Sequence, residues 1–270
     1  MQRSNSLAFP FLFFFLASPS FAQLPRIVFS GGADYSGGVF KGTAAFRVPM
    51  QPIQLMVNAP FSGQERIEAS QILAGGTRVN QPAHDGQKVW RDSQGRIRME
   101  TTFASGPTTF KNLPTLVEIQ DPAAGYIYLM DDVNKIAHRI KATVVKQQDL
   151  EKLLTRVVPA GAKGGPQPQS SQQDLGTETM DGMLVHGTRT TTVFPTGSRG
   201  NDGPYTTTRD VWYSPDLNMV IRTIINGAGA GSTDGIANLS RNEPDPSLFV
   251  VPADYSVVDE NGPFEIAWGK

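Results

Sequence analysis

From about residue 62 onward, apolar and polar residues alternate along the chain, the period-two pattern of strands with one buried and one wet face. The clearest case is Lys88 to Phe103. Asp92-Ser93-Gln94-Gly95 supplies turn chemistry, because Gly95 takes positive φ at no steric cost and Asp92 and Ser93 bond their own backbone. After the turn, Ile97, Met99, Thr101 and Phe103 share one face, and Arg96, Arg98, Glu100 and Thr102 share the other. A second hairpin, Leu116 to Asp131, turns through Pro122-Ala123-Ala124-Gly125. Its second strand, Tyr126 to Met130, is apolar on both faces, which suits a central or a lipid-facing strand. In Lys135 to Lys141, Ile136, His138 and Ile140 oppose Lys135, Arg139 and Lys141.

Further strands are expected at Leu175 to Thr179 and Met183 to Phe194, around an Asp181-Gly182 hairpin turn. Others are expected at Thr206 to Tyr213 and Met219 to Ile225, with Gly227 to Gly235 as a loop and Ile236 to Arg241 as the last strand. Leu150, Leu153, Leu154, Val157 and Val158 fit a helical stripe between residues 144 and 158, with Asp149 as N-cap and Pro159 as stop. Asp245-Pro246-Ser247-Leu248-Phe249 predicts one helical turn that presses Leu248 and Phe249 onto the sheet edge. The pattern predicts a mainly β fold of about ten strands: a curved antiparallel sheet, an open half-barrel meander, with at most one or two short helices. The β domain is expected to span 61–260, preceded by an extended region over 23–60. PAGAKGGPQPQSSQQ (159–173) reads as a flexible linker.

The N-terminus departs from this pattern. Arg3 precedes a ten-residue apolar run, Leu7 to Leu16, and Ser20 and Ala22 stand at −3 and −1 of a cleavage point after Ala22. This is the three-part secretory signal. The run is half the roughly 20 residues that a membrane span needs and contains Pro10. No later stretch is long or apolar enough to cross a membrane, so a soluble periplasmic or extracellular protein is expected.

Composition removes function classes. The 24 Lys and Arg nearly balance the 25 Asp and Glu, which argues against a nucleic-acid binder. With no Cys, disulfides, thiolate zinc sites and cysteine nucleophiles are excluded, and so is a lipid-modified N-terminal cysteine. His84, His138 and His186 are far apart and show no metal-ligand spacing. His138, between Ile136 and Ile140, reads as a hydrogen-bonded core histidine. No G-x-S-x-G, Ser-x-x-Lys, HExxH or P-loop occurs, and Gly227-Ala228-Gly229-Ala230-Gly231 lacks the dinucleotide spacing. No catalytic residue, metal site or cofactor is therefore expected. Arg91, Arg96, Arg98 and Glu100 read as a charged solvent face with cross-strand pairs, or as a partner patch.

Trp90, Tyr128, Met130, Trp212, Tyr213 and Met219 fall on predicted strands. They suit ordinary core packing or the lining of an apolar groove, since Met and Trp adapt to irregular ligands.

Three segments, LGTETMDGMLVHGTR, RDVWYSPDLNMVIRT and EPDPSLFVVPADY, resemble the outer-membrane lipoprotein carrier superfamily (LolA/LolB-like) and the related RseB-like envelope regulators. The matching positions are Gly176, Asp181 and Gly182, then Trp212, Tyr213, Ser214 and Pro215, then Asp245, Pro246, Leu248, Phe249 and Pro252. The resemblance covers mainly residues 86–258. It implies a half-barrel whose concave face holds acyl chains, often under helical lids. On that basis a groove for a lipid or lipoprotein-like apolar ligand is expected from Trp90, Met99, Phe103, Tyr128, Met130, Trp212, Met219 and Ile221. The alternative is an envelope sensor that contacts a protein partner through a sheet edge or the Arg-rich hairpin.

Overall fold

A computed structural model describes residues 42–46, 53–73, 75–102, 114–145, 166–227 and 229–268. The leader, Phe103, the helix candidate beyond Val145 and the linker up to residue 165 lie outside the described residues.

The chain builds β1 (Gly42–Phe46), β2 (Ile53–Gln54), β3 (Phe61–Ile72), β4 (Arg78–Asn80), β5 (His84–Arg91) and β6 (Ile97–Thr102). It continues with β7 (Thr115–Asp121), β8 (Tyr126–Asp131), β9 (Ile136–Lys141), β10 (Val144–Val145), β11 (Gln169–Met180) and β12 (Met183–Phe194). The last are β13 (Tyr205–Ser214), β14 (Met219–Gly227), β15 (Ala230–Ser240), β16 (Ser256–Glu260) and β17 (Phe264–Trp268). Thirteen of them form one curved, open sheet in the order β11-β12-β13-β14-β15-β3-β5-β6-β7-β8-β9-β16, with β4 pairing β3. Within it β16 runs parallel to β9, and the other pairs are antiparallel. The mainly β, open half-barrel expectation holds. The meander, however, comes in two runs, β5–β9 and β11–β15, joined where β15 returns beside β3. Gly63 makes that join possible: a Cβ there would stand 2.3 Å from Ile236 Cγ2.

Several expectations need correction. Seventeen strands are described rather than about ten. Gly227–Gly235 is not a loop, because β15 already begins at Ala230. Gln169 to Gln173, expected as linker, are strand residues paired with β12. These segments are rich in Ser, Thr, Gln and Gly and carry no apolar alternation. The main-chain ladder holds them, helped by a 2.9 Å hydroxyl contact between Ser170 and Thr192. Val144 and Val145, expected to begin a helix, pair with β2 instead. Outside the 61–260 span, β1 pairs β17, and both pack into the core.

Residues directly opposite in an antiparallel pair share a face, so the register sorts the sheet into two surfaces. Val89, Met99, Glu118, Leu129 and His138 form one cross-strand row. Trp90, Arg98, Ile119, Tyr128 and Arg139 form a row on the other face. The β1–β17 ribbon covers the first face over β7–β9, packing Phe46 and Ile266 with Leu116, Ile127, Leu129 and Ile140. On the other face, Val251 and Tyr255 cover Val117, Ile119, Met130 and Ala137. Both faces of β8 are thus covered by the chain itself, as suits a central strand.

The turn at Pro246–Phe249 forms as a 3-10 turn capped by Asp245, whose carboxylate accepts the Ser247 N–H at 2.9 Å. It packs on β6 and β7 inside the sheet, not on an edge. The arginines of the β5–β6 hairpin draw it there. Arg98 donates to the Leu248 carbonyl at 3.1 Å, and Arg96 lies over the Phe249 ring.

Candidate functional site

The Asp181-Gly182 turn has φ of 48° and 77°, the two positive values of a type I′ hairpin turn. It sets Met180 directly opposite Met183. Both methionines enter a buried cluster with Met99, Met219, Val89, Ile221, Leu217 and Ile236, and Met56 packs against it. Five of the chain's eight methionines therefore meet at one place. Trp212, half-buried, lies across Gly187, where a Cβ would come within 2.5 Å of the indole. The glycine is thus the seat for the tryptophan.

Arg91 forms part of the floor. Its guanidinium donates to the carbonyls of Ala59 and Leu217, each at 2.8 Å, and stacks over Phe61. Burial lowers its pKa to about 10, and nearby Arg241 adds to the effect. The other hairpin arginines are also engaged within the chain: Arg96 with Asp92 at 2.7 Å and Arg98 with Glu100 at 2.8 Å. The arginines of this hairpin are therefore engaged in contacts within the chain.

Between this cluster and the ribbon-covered core, the first face carries a polar seam. Gln120 donates to Glu118 at 2.7 Å, and both are nearly fully buried. Burial raises the Glu118 carboxyl to about 7, against the lowering effect of that hydrogen bond. Farther along, His138 contacts Glu260 at 2.7 Å and stacks on Phe264. It is the hydrogen-bonded core histidine that the sequence suggested.

The expected groove residues divide. Met99, Trp212, Met219 and Ile221 come together in the methionine cluster. Tyr128 and Met130 belong to a second cluster on the opposite face. Trp90 stands opposite Arg98, also on that other face, and Phe103 lies outside the described residues. The seven described ones thus fall on two faces of the sheet. Met56, Met180 and Met183 were missed. The signal for the last two was present, since residues flanking a two-residue hairpin turn face each other.

One further depression, an open cleft of about 380 Å³, is polar and is lined by residues such as Glu68, Ser70, Arg78 and Asn226. Among the described residues, no three His, Cys, Asp or Glu side chains are grouped to hold a metal. No helix among them is long and apolar enough to cross a membrane.

No family model matches the chain, and no curated protein matches it. Among solved structures it is similar to LprF from Mycobacterium bovis, with 11% identity over 70% of this chain and 90% of that one, at a TM-score of 0.25. It is similar to lipoprotein LppX of Mycobacterium tuberculosis, with 13% identity over 69% and 90% and a TM-score of 0.26. A third is a domain described as outer membrane lipoprotein-sorting from Vibrio parahaemolyticus, with 10% identity over 71% and 89% and a TM-score of 0.15.

Proposed function

We propose that this chain is an exported, non-enzymatic β protein that binds a lipid or another apolar ligand on its open sheet, after removal of residues 1–22. The observation that carries this reading is the methionine cluster. Met99, Met180, Met183 and Met219 meet under Trp212, with Met56, Ile97 and Leu239 half-buried along the margin. Thioether side chains have low torsional barriers and polarisable sulfur, so they repack around ligands of irregular shape. Displacing their mutual contacts in favour of an acyl chain exchanges one apolar contact for another. The gain comes from the ligand's own burial, about 25 cal/mol per Å².

A fluorescent long-chain acyl probe tests it. Saturable uptake with energy transfer from tryptophan, reduced by Met183→Asn and by Trp212→Ala, is expected. Uptake that never saturates, or that both variants leave unchanged, refutes the reading.

A second reading, an envelope protein that contacts a protein partner, draws support from the edge strand β11. Among the described residues no strand pairs with its outer edge, and it carries neither Lys nor Pro to deter an added strand. Pull-down from an envelope fraction that depends on residues 169–180 favours it over the first.

A further inference from the structure

Where β15 joins β3, two carboxyl groups share one place on the sheet. The pairing of β3 with β5 slips between Gln64 and Arg66, which sets Glu65 beside Gly86. Gly86 leaves room for this carboxyl: a Cβ there would stand 2.1 Å from Glu65 Oε2, and Glu65 would have to move. That oxygen accepts the Gln87 N–H at 3.1 Å. Glu65 lies opposite Ile236, and Asp234, two residues away on β15, lies opposite Ile67. The Glu65 and Asp234 carboxyls are in hydrogen-bond contact.

The third member is Thr223 on β14, directly opposite Asp234 and therefore on the same face. It is only 3% exposed, and its Oγ1 has no hydrogen-bond partner; neither has Asp234 Oδ1. A buried hydroxyl and a buried carboxylate oxygen left without partners on adjacent strands are costly unless a ligand satisfies them. Among the described residues no Lys or Arg pairs with either acid. His84, exposed and opposite Ile67, is the basic group whose field reaches Glu65.

We propose that Glu65, Asp234 and Thr223 form a binding site for a hard divalent cation, with calcium as the best fit. The donors are all oxygen, which suits hard cations and disfavours zinc and copper. Two carboxylates and a hydroxyl make an irregular set, to be completed by water from the half-exposed side of Asp234. Calcium tolerates such geometry, whereas magnesium demands an octahedron. A cation here ties β3, β14 and β15 together at the seam between the two meanders, independently of any apolar ligand.

The test is equilibrium dialysis of the whole chain against calcium after chelator treatment, with thermal melts in calcium, magnesium and EDTA. One saturable calcium ion is expected, with affinity near the 0.1–1 mM typical of weak sites and a higher Tm in calcium than in EDTA. Asp234→Asn and Thr223→Val each weaken binding at least about tenfold, roughly 1.4 kcal/mol, while their melts in EDTA stay close to that of the parent. Thr223→Val keeps the test open if Asp234→Asn does not fold, because it changes the hydroxyl alone. No saturable binding of either cation, or calcium affinity unchanged in Thr223→Val, overturns the proposal.

Discussion

Replacing Glu118 by Gln should remove a defined part of the protein's pH dependence. Glu118 is buried on β7, and burial carries its carboxyl from the ordinary 4.5 to about 7. At about 1.4 kcal/mol per tenfold change in proton affinity, that difference is worth roughly 3 kcal/mol. The folded state holds the proton more tightly than the unfolded chain. The contribution is therefore fully present below about pH 4.5 and is lost as pH rises towards 7, beyond which it is flat. Glu65 and Asp234 are also raised and act in the same direction. For that reason the informative quantity is the difference between parent and variant. Urea unfolding at pH 5, 6, 7 and 8 measures it. The parent should lose about 2.5 kcal/mol more than Glu118→Gln across that range, and the variant should be the more stable of the two at pH 8. The Gln amide can still accept from Gln120, so the cost at pH 5 should stay within about 1 kcal/mol. Equal pH slopes in the two proteins would refute the assignment of a neutral buried carboxyl at Glu118.

The remaining predictions concern packing. Gly187→Ala places a methyl 2.5 Å from the Trp212 ring; it should cost about 1–3 kcal/mol and shift tryptophan emission, and a native-like spectrum would contradict the seat described. Gly95→Ala meets both a φ of 84° and the Met56 carbonyl 2.6 Å away, so thermal melting should show a loss of about 1–3 kcal/mol, far more than at Gly262, where an added Cβ meets nothing within 4 Å. Met180→Leu and Met219→Leu should each cost less than about 1.5 kcal/mol yet narrow the range of acyl chain lengths taken up. Stability and chain-length selectivity falling together would mean that the methionines serve packing alone.

The parts of the fold visible in the sequence were those where one face is apolar. Met99 against Arg98, Ile127 against Tyr128 and Asp181-Gly182 between two strands gave the β5–β9 hairpins and the β11–β12 turn. The polar strands were hidden. Gln169 to Gln173 and Gly231 to Gly235 are held by main-chain bonds to neighbours distant in sequence, and such pairing leaves no period-two apolar signal. The ribbon of β1 and β17 was equally invisible, since GTAAF and FEIAW gain their meaning only when placed on Leu116, Leu129 and Ile140. The candidate site was half legible. Residue type pointed to Met99, Trp212, Met219 and Ile221, but the faces were not assigned between strands. Trp90, Tyr128 and Met130 were therefore grouped with side chains that the register sets on the opposite surface. The pairing of Glu65 with Asp234 depends on the register between β3 and β15, strands distant in sequence, which no local pattern announces.

The proposed apolar ligand lies on the open sheet beside Trp212. Native mass spectrometry of the chain exported from a bacterial host, beside an organic-solvent extract of the same sample, tests it most directly. The account predicts a stoichiometric apolar adduct that the extract releases, or one that forms on adding phospholipid to the empty protein. A clean mass for the protein alone, unchanged by added phospholipid or lipopeptide, would contradict it.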